Sequence, residues 1–414
     1  MAIPPVANTS QLHTLAPLCP SGATRFVLPC LYALIFLTGL PGNALSLWVF
    51  FRRIPNRTST HVYLSHLGLS NLLLCLTAPF QAVYYLQGAV WSAHSALCQA
   101  VIHGVTPVQQ INIYVGVFIL TWVALSRFAT LIQQTHASRP SLFATLLPDA
   151  FFSALRRPMF ARAVCTGVWV AVAGAIVPVT VYYSVMESKR HAGGERGGGD
   201  TGEEERGGVC YNYAVEAGGS LSRGSSVAAI VVFFVCFLLV IALYVSVARH
   251  VRRSRQSAAV NSSQQLLGKV FRNIVVIQVV LTVCLLPHHI FKSIFIAIVE
   301  NQEQADPVIT AREPCHSLSA AVEVKNFLLC LASLRSSADP VMYFLLDKTF
   351  HKNISSMFRS CPEKTSSQSD GGTSSQAKVR TNRTNGKLEE KKCPKSQGSW
   401  KDFSSMDWSE NSGV

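Results

Sequence analysis

Residues 331–343 read LASLRSSADPVMY and close a long apolar stretch in the C-terminal third of the chain. Asp339 and Pro340 stand just before Tyr343, at a depth where a spanning helix has only hydrocarbon outside it. A carboxylate there costs several kcal/mol, and a proline removes a helical hydrogen bond. Such residues mark a moving or functional element, here a helix that bends. Working outward, apolar stretches occupy residues 26–51, 60–86, 98–130, 159–184, 225–249, 268–299 and 317–346. Each reaches the roughly 20 residues needed to cross a bilayer core. The chain has 414 residues, 49% hydrophobic and 14% charged. The expected fold class is all-α integral membrane: a seven-transmembrane helix bundle with a short amphipathic helix after the seventh span.

The basic residues set the orientation. Arg52, Arg53 and Arg57 follow the first span, and Arg139, Arg156, Arg157 and Arg162 lie between the third and fourth. Arg249, Arg252, Arg253, Arg255, Lys269 and Arg272 flank the connection between the fifth and sixth. These loops are therefore expected in the cytosol. The opposite loops carry Glu203, Glu204, Glu205, Glu300, Glu303 and Asp306. The domains read as an extracellular N-terminal tail (1–25), a transmembrane core (26–346), an amphipathic juxtamembrane helix (347–360) and a disordered cytoplasmic tail (361–414). A plasma-membrane protein with its N-terminus outside follows. The net charge of +14 is then a topology signal and calls for no nucleic acid partner. Asn8-Thr9-Ser10 is a glycosylation acceptor on the outer side, and residues 187–208 are a Gly- and Glu-rich outer loop.

Of twelve cysteines, Cys75, Cys165, Cys236, Cys284 and Cys330 lie inside spans as small apolar fillers. Cys19, Cys98, Cys210 and Cys315 fall on the oxidising side, where an even number permits two disulfides. Topology favours Cys98 with Cys210 and leaves Cys19 for Cys315. Cys30 is an alternative to Cys19, and free thiols throughout are the remaining possibility.

Further residues fall in a recognisable order. They are Gly42-Asn43, Trp91 before Cys98, Arg127 at the end of the third span, Trp169 and Pro178, and Tyr244. Cys284-x-x-Pro287 and Asp339-Pro340-x-x-Tyr343 complete the series. Over residues 26–360 this pattern resembles the rhodopsin-like (class A) G-protein-coupled receptors. Pro287-His288-His289-Ile290-Phe291-Lys292, with the run from Leu331, resembles the purinergic-receptor-like branch. The resemblance implies an orphan receptor that binds an extracellular small-molecule or lipid ligand and activates heterotrimeric G proteins as its sixth helix moves outward. Arrestin and receptor kinases are implied as further partners. Arg127 would be the pivot of activation, with Tyr244 and Tyr343 closing around it, and Pro287, Asp339 and Pro340 would form the flexing parts.

The departures from the family pattern are specific. Ser126 stands where the family has an Asp beside Arg127, so raised basal activity is expected. Asn71 takes the place of the family's sodium-binding Asp, and Arg335 the place of an Asn. Arg335 and Asp339 share a helix face four residues apart, and a buried guanidinium needs a counterion. Asn43, Asn71, Arg335 and Asp339 are therefore the expected polar core, with the guanidinium replacing sodium. Cys98 to Arg127 is longer than the family's spacing, which predicts a bulge near Thr106-Pro107. The apolar middle of the second inner loop, 142–155, is expected to lie on the membrane as a helix.

The ligand pocket is expected among spans three, five, six and seven. His289, Lys292 and Lys325 there would favour an anionic ligand. Leu329 stands where nucleotide-binding relatives carry an Arg, which argues against a simple nucleotide site. After Tyr343, residues 347–358 can form an amphipathic helix with Phe350, Ile354 and Phe358 toward lipid. Cys361 is a palmitoylation candidate, Thr365, Ser366, Ser367 and Ser369 a kinase and arrestin cluster, and Ser412-Gly413-Val414 a PDZ-domain ligand. No catalytic or metal-ligating constellation stands out, so neither an enzyme nor a cofactor is expected. A transporter would show internal repeats, and an opsin a lysine in mid-span seven; the chain has neither. A receptor-like scavenger or dimer partner without signalling remains the alternative.

Overall fold

Seven long helices carry the chain back and forth. The computed structural model describes residues 21–88, 98, 100–135, 149–194, 220–255, 261–303 and 318–359. The first span is α1 (Gly22–Trp48), the second α2 (Ser59–Leu86) and the third α3 (Thr106–Thr135). A short α4 (Asp149–Leu155) precedes the fourth span, α5 (Pro158–Gly194), and α6 (Ser220–Arg255) is the fifth. The sixth span joins α7 (Asn261–Val280) to α8 (Leu286–Glu303), the seventh is α9 (Ser319–Leu346), and α10 (Lys348–Arg359) follows it. All belong to one unit, Met1–Cys361.

Six of these helices are long and apolar enough to cross a membrane by length and composition. The seventh, α9, is long enough but carries Glu323, Lys325, Arg335 and Asp339. Its charges are turned inward: Lys325, Arg335 and Asp339 are buried, while Val341 and Leu345 face away from the protein. That is why its apolar signal is the weakest of the seven. Elsewhere Leu37, Val170, Val235 and Leu238 are exposed apolar side chains of the kind a lipid-facing surface requires.

Close helix approach depends on small residues. A Cβ at Gly42 would lie 3.0 Å from Pro340 Cγ, and one at Gly39 would meet Cys75 Sγ and lie 3.0 Å from Ser337 Oγ. The first span therefore packs tightly on the second and seventh, as membrane helices do through small residues.

Besides the π-turn Val49–Arg53 that ends the first span, two more wide turns adjust the helices. One spans Val101–Val105, with the Thr106 amide bonded to Val101 O, at the place where the long Cys98–Arg127 spacing calls for a bulge. The other, Leu281–Leu285, sits just before Pro287. A proline clashes with the carbonyl four residues back, and a wider turn relieves that clash.

Of the stretch 142–155 expected as a helix on the membrane, residues 142–148 lie outside the described residues; Asp149–Leu155 is helical, with Leu155 buried against the protein core. Phe350 and Ile354 of α10 are also buried in the core, with Phe350 packed 5.1 Å from the Phe50 ring and 6.2 Å from Tyr343. The expectation that Phe350 and Ile354 face lipid is thereby corrected: their apolar side chains pack on the protein core.

Candidate functional site

A cavity of about 360 Å³ opens among spans three to seven. Lys292 and Lys325 line it together with Tyr114, His288 and Leu329. Spans four and five contribute small and apolar walls such as Ala171, Ala175, Ala228 and Val232. Among the described lining residues there is no carboxylate. Lys292 Nζ lies 6.0 Å from the Tyr114 ring centre, and Lys325 Nζ lies 5.4 Å from that of Phe295, both within cation–π range.

His289, expected in the pocket, is not among the cavity-lining residues. Its ring stacks on Phe233 at 3.7 Å, and its Nδ1 bonds Leu285 O at 2.8 Å, so it belongs to the packing of the sixth span on the fifth. The neighbouring His288 takes its place in the wall. His288 is buried, and neither ring nitrogen has a hydrogen-bond partner; Tyr114 Oη is in the same condition. Buried polar atoms left open in a cavity wall are available to a ligand.

Beside the cavity a polar layer joins four spans. Gln109 Nε2 donates to Ser333 Oγ (2.7 Å) and Tyr32 Oη (3.4 Å), and Gln81 Nε2 donates to Gln109 Oε1 (3.1 Å). Deeper lies the polar core. Arg335 Nη1 donates to Asp339 Oδ2 at 2.7 Å, with both side chains fully buried. Asn71 Nδ2 reaches Asp339 Oδ2 (2.8 Å), Tyr343 Oη (3.0 Å) and Asn43 Oδ1 (3.3 Å). Asn43 Nδ2 in turn donates to Ser336 O at 2.8 Å.

The closing of Tyr244 and Tyr343 around Arg127 is expected when the sixth span swings out, and here both residues make other contacts. Tyr343 is turned into the core toward Asn71, and Tyr244 packs on Phe271 at 5.3 Å. Ser126 Oγ pairs with Ser59 Oγ at 3.2 Å. Arg127 is half-buried and within electrostatic reach of Asp347.

Asp347 organises this end. Its Oδ1 accepts from the Thr349 and Phe350 amides at 2.9 Å, capping α10, and its Oδ2 meets His61 Nε2 at 2.9 Å. The Thr58 amide donates to His61 Nδ1, which leaves the Nε2 proton for Asp347. Burial works to raise the Asp347 pKa. The His61 hydrogen bond and the attraction of its polar N–H, the Phe350 amide and the Arg127 guanidinium outweigh it and hold the carboxyl below its ordinary value. Sequence reasoning missed His61, His288 and also Gly116 of the third span, where a Cβ would overlap the Arg335 guanidinium. A Thr58-to-His61 capping box was the one local signal for His61.

Cys98 is disulfide-bonded, its partner lying outside the described residues, and Cys30 is a free thiol. Asn8, Cys19, Trp91, Cys210, Cys315, Cys361, the Thr365–Ser369 cluster and Val414 also lie outside the described residues.

The comparisons with known proteins agree with this architecture. The family described as 7 transmembrane receptor (rhodopsin family) matches residues 42–343. A Homo sapiens protein named probable G-protein coupled receptor 82 is 37% identical over 340 residues, covering 82% of this chain and 94% of its own. The Mus musculus protein of that name is 36% identical over 336 residues, 81% of this chain and 95% of its own. The human uracil nucleotide/cysteinyl leukotriene receptor is 24% identical over 319 residues, 77% and 73% of the two chains. With seven helices, an inward-facing polar core and a family match across most of its length, this chain belongs to the rhodopsin family of seven-transmembrane receptors.

Proposed function

We propose that the chain is a plasma-membrane receptor, its N-terminus outside, that takes an anionic small molecule or lipid into the cavity of spans three to seven. Occupancy then moves the sixth span outward at its π-turn and Pro287, exposing Arg127 to a heterotrimeric G protein. Arrestin and receptor kinases act on the cytoplasmic tail. The observation that carries this reading is the pair of lysines, Lys292 and Lys325, in a cavity wall that contains no carboxylate among the described residues. Two cations held in a low-dielectric cavity favour a negative ligand group strongly. Tyr114 Oη and His288 supply hydrogen bonds beside them. The relative named for uracil nucleotides and cysteinyl leukotrienes points the same way, since both classes carry acidic groups. Leu329 in the wall removes a third cation, which favours ligands with fewer negative charges than a nucleotide.

The test is G-protein activation in cells across the main G-protein classes, with a panel of phosphates, carboxylates and lysophospholipids. Active compounds are expected among the acids, each losing about tenfold or more in potency on Lys325→Ala or Lys292→Ala at matched surface expression. Activation confined to neutral or cationic compounds, or potency unchanged in both lysine variants, contradicts the reading.

A further inference from the structure

The polar core carries a conclusion that does not depend on what fills the cavity. Arg335 is the largest fully buried side chain among the described residues, and its charge is met by a single carboxylate, Asp339. The room for it comes from the third span. A Cβ at Gly116 would overlap Arg335 Nη2 and lie 2.8 Å from Cζ and 2.9 Å from Nη1. Any other residue at this position would push the guanidinium out of its seat.

The same carboxylate accepts from Asn71 Nδ2, and two further oxygens, Asn43 Oδ1 and Tyr343 Oη, gather on that amide nitrogen. Asp339 Oδ1 and Asn71 Oδ1 have no hydrogen-bond partner of their own. Carboxylate, amide and phenol oxygens beside one buried negative charge are the donor set of a hard cation. The positive charge in this chamber is covalently attached. One guanidinium balances one carboxylate, and a second cation would be repelled at full burial.

We infer that Arg335, admitted by Gly116, is the permanent cation of the transmembrane core, and that it stands on a latent monovalent-cation site formed by Asp339, Asn71, Asn43 and Tyr343. The native receptor is therefore indifferent to sodium, and removing the guanidinium converts the chamber into a sodium site. Asp339 then has no internal countercharge, and a small monovalent cation is the group that restores it.

The experiment is thermal melting of the purified full-length receptor in sodium chloride against N-methyl-D-glucamine chloride at equal ionic strength. The native protein is expected to melt at the same temperature in both. Arg335→Asn is expected to gain a saturable upward shift with sodium. The double variant Arg335→Asn, Asp339→Asn, with neither charge, is expected to lose that shift. A sodium-specific shift in the native protein overturns the inference, and this arm needs no variant to fold. A folded Arg335→Asn protein that ignores sodium overturns it as well. No ligand enters the assay, so failure here is distinct from failure of the anionic-ligand reading.

Discussion

Two adjacent imidazoles illustrate how far one residue of helical rotation, about 100°, separates chemical roles. His289 stacks on Phe233 and bonds the carbonyl of Leu285, while His288 stands in the cavity wall with both ring nitrogens open. The sequence placed both on the outer half of the sixth span and could not say which way each would turn. At the other end, Ser126 and Asp347 stand in a comparable relation. The missing acid beside Arg127 suggests a loosely held guanidinium and raised basal activity, yet Asp347 brings a carboxylate within its electrostatic reach from after the seventh span. Asp347→Asn keeps a good helix cap for α10 but removes this charge. Ligand-free G-protein activation is expected to rise severalfold in that variant at equal surface expression. An unchanged or lower basal signal would show that Asp347 does not restrain Arg127.

At the scale of elements, the third and seventh spans are fitted together by Gly116 and Arg335. The end of an arginine is ordinarily flexible, but this one is fully buried and tied to Asp339, so it cannot yield without breaking an ion pair. Overpacking of a filled interior costs about 1–3 kcal/mol. Gly116→Ala is expected to destabilise the receptor by about that amount, and by far less in an Arg335→Asn background, where the guanidinium is gone. Thermal melting of the four proteins of this cycle measures the coupling. Strictly additive effects would mean that Gly116 does not serve the guanidinium. The spacing of four residues within α9 was enough to pair Arg335 with Asp339 on one face. The partner glycine was illegible, because nothing in a glycine's local sequence records which side chain lies against it. The amphipathic helix was legible too, since Phe350 and Ile354 recur at helical spacing. Their burial against Phe50 and the core depended on the first span lying beside it.

At the scale of the molecule, the basic loops and the inward charges of the seventh span describe one topology. The expectation is that an epitope at the N-terminus binds antibody on intact cells and one at the C-terminus binds only after permeabilisation. Labelling in the opposite order would reverse the orientation and move the cavity to the cytosolic side. The fully buried ion pair and the asparagines around it link the first, second and seventh spans, while Gly116 adds the third. A helix too polar to insert easily by itself is thus completed by the bundle that receives it.

The sequence by itself determined the number and order of the spans, because a bilayer demands about twenty apolar residues per crossing. It also determined the expected orientation, through the asymmetry of its arginines and lysines, and the local pairing of Arg335 with Asp339. Only the tertiary structure decided that Gly116 faces the guanidinium, that His61 meets Asp347, and that His288 rather than His289 lines the cavity. These contacts join residues far apart in the chain, and their existence depends on how each helix is rotated and how closely it packs. Apolar periodicity constrains that rotation only loosely where a helix has lipid on one side and buried polar groups on the other.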